Sequence, residues 1–298
     1  MLEFHTLDVF TTTPFSGNPL AVVLGADGLS VAQMQRIARE FNLSETIFVQ
    51  APDDPAHEAK VRIFFPTAEI PFAGHPTVGC AILLATMAQG TGDFTTRIVL
   101  EEQAGLVPVV VTRVGGVTEA EFTAPVVPFA AKGEAPADLV VRALGLRPGD
   151  LGFGQHGVAL WQGGPAFLYV PVATADALSN AAPREPDWSE LMRLAGVDSA
   201  YVYTPGRDVD FQARMFSPTA GIPEDPATGS ATAILAAQLL ASGALRPGTQ
   251  SFTLRQGEKM GRPSALRLTV DLAAGGISAV RIKGAAVPIS QGKIRIPT

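Results

Sequence analysis

Four polar residues sit in short turns just ahead of apolar segments, a setting suited to proton transfer. They are Glu45 in N-L-S-E-T, His75 in A-G-H-P-T, and Asp225 and Ser230 in E-D-P-A-T-G-S-A. A carboxylate or imidazole at the rim of a dry cleft has the shifted pKa that general acid/base chemistry needs. Each residue also has a purely structural reading. Glu45 fits a solvated turn, and His75 and Asp225 fit helix caps. Ser230 fits a cap or hydrogen-bond donor better than a nucleophile, because it lies in T-G-S-A and not in G-x-S-x-G. Gly74 and Gly229 stand where two apolar helices should begin. The first N–H groups of such a helix lack intrahelical partners and the helix dipole adds positive potential, so each start is an anion site that glycine leaves open to close approach. A small carboxylate is the natural guest.

Other patterns fail on context. Gly152, Gly154 and Gly157 spell G-x-G-x-x-G, but the residues that follow, Val158 to Trp161, read as a strand, so no dinucleotide loop is expected. The four histidines, His5, His57, His75 and His156, are scattered and the single cysteine, Cys80, lies inside an apolar helix. Neither a metal site nor an internal disulfide is indicated, and Cys80 reads as a small core residue.

The elements that must position these residues come twice. Arg62 to Pro71 reads RIFFPTAEIP and Arg214 to Pro223 reads RMFSPTAGIP, seven identities in ten at an offset of 214 − 62 = 152 residues. Each copy leads into a glycine-containing turn and an apolar, helix-patterned segment, so that with a three-residue insertion Gly74 pairs with Gly229 and His75 with Ser230. An offset of half the chain implies duplication of one unit, giving two similar lobes, 1–127 and 128–298, with the active cleft between them and the last strands free to return to either lobe. Strands are expected at Phe4–Phe10, Leu20–Leu24, Thr46–Gln50, Val61–Phe65, Ile98–Leu100 and Leu106–Thr112. Helices are expected at Ser30–Phe41, with Ser30 as N-cap, and at His75–Ala88, apolar nearly all round and so buried. In the second lobe, strands near Val158–Trp161, Phe167–Val170, Ala200–Tyr203 and Phe211–Phe216 accompany a central helix at Ser230–Ala241, and the chain ends in strands at Ala279–Ile282 and Lys293–Ile296. The fold class is α+β, two pseudo-symmetric lobes, each a mostly antiparallel, barrel-like sheet around a central helix.

Composition narrows the partners. Of 298 residues 22 are Lys or Arg and 28 are Asp or Glu, a net charge of −6 with no basic block, which argues against a nucleic-acid partner. The longest apolar-leaning stretch, Val78 to Ala88, is far short of the roughly 18 residues that span a membrane. Met1 to Phe10 lacks the basic start and apolar core of a signal peptide, so a cytoplasmic location is expected.

Four motifs now carry a resemblance. F-x-G-N-P-L-A-V-V (Phe15 to Val23), N-L-S-E-T (Asn42 to Thr46), P-F-A-G-H-P-T-V-G (Pro71 to Gly79) and E-D-P-A-T-G-S-A (Glu224 to Ala231) resemble, in order and spacing over nearly the whole chain, the PhzF-like family of phenazine-biosynthesis isomerases. The resemblance implies the diaminopimelate-epimerase fold, a homodimer, and no metal or organic cofactor. It makes Glu45 the catalytic acid/base and gives His75, Asp225 and Ser230 supporting roles in proton movement. Gly74, Gly229 and Asn18 become substrate-binding positions. The family's phenazine-pathway member moves a ring hydrogen of a dihydro-hydroxyanthranilate, giving an enol that settles as a ketone. Racemases and epimerases of the same fold use two cysteines in the turns before the paired helices, where this chain has Ala73 and Thr228. The leading expectation is therefore a cofactor-independent isomerase that shifts a proton on a small cyclic carboxylate. The alternatives are an epimerase of the same fold and a catalytically silent small-molecule-binding protein.

Overall fold

The computed structural model describes residues 1–298. They form two units, Met1–Pro125 with Ile282–Thr298, and Val126–Arg281.

In the first unit the strands are β1 (Leu2–Val9), β2 (Asn18–Val23), β3 (Glu45–Gln50), β4 (Ala59–Phe64), β5 (Glu69–Ile70), β6 (Phe94–Glu102), β7 (Gly105–Val114) and β8 (Val117–Thr123). The part of the last strand from Ile282 to Ile294 belongs here too. Pairing runs from that last strand to β1, β2, β3, β4, β6, β7 and β8, and from β8 back to the last strand. The eight strands thus close into a barrel, which leaves no sheet edge unpaired. Period-two alternation tells each strand which way to face. On β7 the side chains of Val107, Val109 and Val111 are buried, whereas Leu106, Val110 and Val114 are exposed.

Two pairs in this barrel are parallel, β2–β3 and β4–β6. A parallel pair needs a crossover, and helices supply both. The first, α1 (Val31–Phe41), is amphipathic and lies outside the barrel. Ser30 caps it, accepting from the Gln33 N–H while the Gln33 side chain accepts from the Ser30 N–H. Its apolar stripe packs Met34, Ile37 and Ala38 on Phe48 and Phe64. A truncation such as Ile37→Ala there would cost about 2–5 kcal/mol. The second, α2 (Gly74–Gln89), has no polar stripe, so it can satisfy its whole surface only inside, where β1, β2, β3, β6, β7 and β8 surround it. Gly79 lets it sit that close. A Cβ there would lie 2.5 Å from Leu20 Cδ2 and 2.8 Å from Val9 Cγ2.

The second unit contains β9 (Phe129–Ala130), β10 (Ala159–Gln162), β11 (Ala166–Pro171), β12 (Ala200–Pro205), β13 (Phe211–Ser217), β14 (Ile222–Asp225), β15 (Gly248–Gln256) and β16 (Ser264–Ala273). It also takes the start of β17 (Gly276–Ile294). Its strand order repeats that of the first unit, with parallel pairs at the same two places, β11–β12 and β13–β15. The apolar helix α6 (Gly229–Ala241) is the crossover of the second pair and packs against β9, β10, β11 and β16. A bidentate ion pair braces each repeat, Arg62 to Glu69 and Arg214 to Glu224.

Several elements differ from the sequence expectation. The second unit carries α3 (Ala137–Leu144), α4 (Ala175–Asn180) and α5 (Asp187–Ala195), where only a central helix was expected. They bury Leu139, Val140, Trp188 and Leu191 on Leu168, Val170 and Val202. The strands β8, β15 and β16 were also unforeseen. Their exposed halves are polar, as in T-E-A-E and T-Q-S, and this hides the alternation. The two expected terminal strands are one continuous strand, β17. No helix is long and apolar enough to cross a membrane.

Candidate active site

In the first unit, three of the singled-out side chains converge. Asn18 opens β2, Glu45 opens β3, and the parallel register sets Leu20 beside Glu45. Gly17 makes the approach to Asn18 possible: its backbone is left-handed (φ +68°), and a Cβ there would lie 2.3 Å from the Val9 carbonyl oxygen. Asp8 secures the same loop by accepting from the Phe15 N–H at 2.6 Å. Against these strand starts α2 places His75, whose Nδ1 lies 3.3 Å from Asn18 Nδ2 and 3.3 Å from Glu45 Oε2. All three residues are buried.

Burial fixes the charge state of the imidazole. Loss of hydration lowers the His75 pKa to about 3, against a smaller opposing pull from the Pro19 carbonyl, so the ring is neutral near pH 7. A neutral imidazole holds one proton. With Nδ1 accepting from the Asn18 amide, Nε2 carries the hydrogen, and the 3.3 Å approach of Glu45 Oε2 to Nδ1 is proximity and not a hydrogen bond. Nε2 is buried and has no hydrogen-bond partner.

His75 is the second residue of α2 and not its cap. The N-cap is Ala73, which offers no side-chain hydrogen bond. Pro76, the third helical residue, has no N–H, so the donors of the first turn are Gly74 and His75. The capping role weighed for His75 is thus not the one it plays.

In the second unit Asp225 ends β14, and its carboxylate accepts from the Thr228 hydroxyl at 2.6 Å. Thr228 is the N-cap residue of α6, with Gly229 and Ser230 as the first two helical residues. Asp225 thus holds the cap residue of the helix. Gln256, the last residue of β15, completes the arrangement. Its Oε1 accepts from the Thr228 N–H at 3.2 Å, and its Nε2 donates to the Asp225 carbonyl at 2.8 Å and to Thr228 Oγ1 at 2.9 Å. Sequence reasoning missed Gln256 and Thr228 as partners, and no local pattern marks them, because their pairing is made by strand register 28 residues away.

The remaining motifs keep structural roles. Gly152 and Gly154 take left-handed backbone in a turn ahead of β10, not ahead of a helix. Burial pushes the Cys80 thiol up, so it stays protonated. His57 bonds Glu101 and His156 bonds the Tyr203 hydroxyl, each at 2.7 Å. No group of three His, Cys, Asp or Glu side chains is arranged to hold a metal ion.

Comparison with known proteins gives the family. Residues 7–292 match the family model described as phenazine biosynthesis-like protein. The chain is 43% identical to an uncharacterized isomerase of Mesorhizobium japonicum, covering 97% of each chain. It is 37% identical to the trans-2,3-dihydro-3-hydroxyanthranilate isomerase of Pseudomonas fluorescens, covering 99% of each. A solved structure of a predicted epimerase from Pseudomonas aeruginosa superposes with a TM-score of 0.81 at 32% identity, over 99% of both chains. With the family model and the relatives matching nearly end to end, the chain belongs to the phenazine biosynthesis-like, or PhzF, family of isomerases.

Proposed function

We propose that this isomerase shifts a proton on a small cyclic carboxylate by general acid/base catalysis at Glu45, without a metal or organic cofactor. The observation that carries this reading is the buried carboxylate of Glu45 within 3.3 Å of a neutral imidazole, at the uncapped start of α2. The Gly74 and His75 N–H groups and the helix dipole supply the attraction for a substrate carboxylate. Glu45 takes a proton from one ring carbon and delivers it to another, with the neutral His75 ring beside it. Asn18 orients His75. Asp225, Ser230 and Gly229 serve the corresponding polar roles at the start of α6. The substrate class follows the named Pseudomonas relatives, a trans-2,3-dihydro-3-hydroxyanthranilate or a close analogue. By the family resemblance the protein works as a homodimer.

An epimerase of ordinary amino acids is the weaker reading. Two-base racemisation of a weakly acidic α-proton in this fold relies on thiolates ahead of the helices, and the N-cap residues here are Ala73 and Thr228. Cys80 cannot stand in, since burial keeps it a thiol. The test is turnover of trans-2,3-dihydro-3-hydroxyanthranilate followed by proton NMR. Ring-hydrogen migration without added metal or nucleotide is expected. Saturable binding of that compound with no product would instead support a silent binding protein.

A further inference from the structure

The last residue of β6 is a carboxyl group with no part in the chemistry above. Glu102 is 8% exposed, its Oε1 lies 2.7 Å from Thr77 Oγ1, and its Oε2 is buried without a hydrogen-bond partner. Thr77 Oγ1 also lies 2.7 Å from the Ala73 carbonyl oxygen. A hydroxyl has one proton and a carbonyl only accepts, so Thr77 gives its proton to Ala73. The bond between Thr77 and Glu102 then needs a proton from Glu102. Satisfying both contacts makes this side chain a neutral carboxylic acid.

The repeat provides an independent observation. The last residue of β15, at the matching place in the second unit, is Gln256, a side chain that is never charged and that holds the N-cap residue of α6 through Nε2 and Oε1. Both helix starts are therefore gripped from the end of the same strand by a neutral donor, an amide in one unit and a protonated acid in the other. The grip matters because the Ala73 carbonyl and the Gly74 N–H belong to one rigid peptide plane, so anchoring the oxygen aims the hydrogen. We propose that Glu102 is a positioning residue which, through Thr77 and the Ala73 carbonyl, aims the Gly74 N–H at the substrate carboxylate, and that it does so only while protonated. This rests on the reading that Gly74 binds that carboxylate.

The surroundings support the neutral form. Burial raises the Glu102 carboxyl to about 8. On α2, besides Thr77, Cys80 lies close enough to interact with it and is an uncharged thiol. On β4, Lys60 is paired with Asp53 and Arg62 with Glu69. On its own strand Glu101 points to the opposite face and pairs with His57. On β7 the residue opposite is Gly105.

The test uses the full chain, with carbonyl-labelled alanine and amide-labelled glycine, and follows the Gly74 amide resonance from pH 6 to 10 in wild type, Glu102→Gln, Glu102→Leu and Thr77→Val. A single titration step near pH 8 is expected in wild type and none in any of the three variants. In parallel, kcat/KM for trans-2,3-dihydro-3-hydroxyanthranilate should fall in wild type through one step centred near pH 8 to a plateau about tenfold lower, as one proton and with it the clamp is lost. Glu102→Gln should keep wild-type kcat/KM at pH 7 and lose the alkaline fall. Glu102→Leu and Thr77→Val should lose about tenfold at every pH, mainly through KM, the size of one hydrogen bond. A Gly74 step that survives in Glu102→Gln would overturn the proposal, and so would a Glu102→Gln enzyme as poor as Glu102→Leu. If Glu102→Leu does not fold, Glu102→Gln and Thr77→Val carry the comparison. If wild type itself turns over nothing, the proposed reaction fails, and the amide titration alone decides whether the clamp exists.

Discussion

Replacing Glu45 by Gln removes a base while leaving its shape. Glu45 is 8% exposed and packed between the start of β2 and the first turn of α2, so the amide fills the same space and opens no cavity. The contact with His75 also survives, because a glutamine oxygen can accept from Nδ1 or its NH2 can donate to it. What is lost is the proton shuttle. General acid/base catalysis is worth about 10²–10⁴-fold, or about 3–5 kcal/mol of transition-state stabilisation. His75 does not make up the loss as an acid, since its pKa of about 3 leaves almost no imidazolium at neutral pH. The substrate carboxylate is assigned to the helix N–H groups, so KM should change little and the loss should fall on kcat. The assay is ring-hydrogen migration by proton NMR in heavy water, with circular dichroism as the folding control. The variant should show neither turnover nor washed-in deuterium at the reacting carbons. Near-wild-type turnover by a folded Glu45→Gln protein would remove Glu45 from the mechanism and pass the role of base to Asp225 or His75.

Two further outcomes concern stability. The His75 pKa is 6.5 for the free side chain and about 3 in the fold, so between those values the unfolded chain binds a proton that the native protein does not. The resulting stability is present in full above pH 6.5 and is lost as pH falls towards 3, by about 1.4 kcal/mol per unit. Denaturant unfolding at pH 4 to 7 should show this slope in wild type and not in His75→Asn, and equal slopes would refute it. Gly79→Ala pushes a methyl into Leu20 and Val9 inside the first barrel and should cost about 1–3 kcal/mol. An unchanged denaturation midpoint would mean that those two side chains move aside freely.

The sequence by itself determined the parts that depend on local pattern. The repeated RxFxPTAxIP segment announced two equivalent units, and the polarity of Ser30–Phe41 against the uniform apolarity of His75–Ala88 separated an outer helix from a central one. Both follow from the energy of burying one face or all of them. The turn residues Glu45, His75 and Asp225 stood out because charged groups beside apolar helices are costly unless they have work or partners. Tertiary structure decided the rest. Strand register brings Asn18, Glu45 and His75 to one point from positions up to 57 residues apart. Only burial, a property of the packed chain, keeps His75 neutral well below pH 6.5. Glu102 and Gln256 are the plainest cases. In the sequence they are an unremarkable acid just past an expected strand and an amide in a segment too polar on one side to look like one. Their meaning comes from ending β6 and β15 beside the starts of α2 and α6, where a single hydroxyl proton or amide decides how each helix start is held.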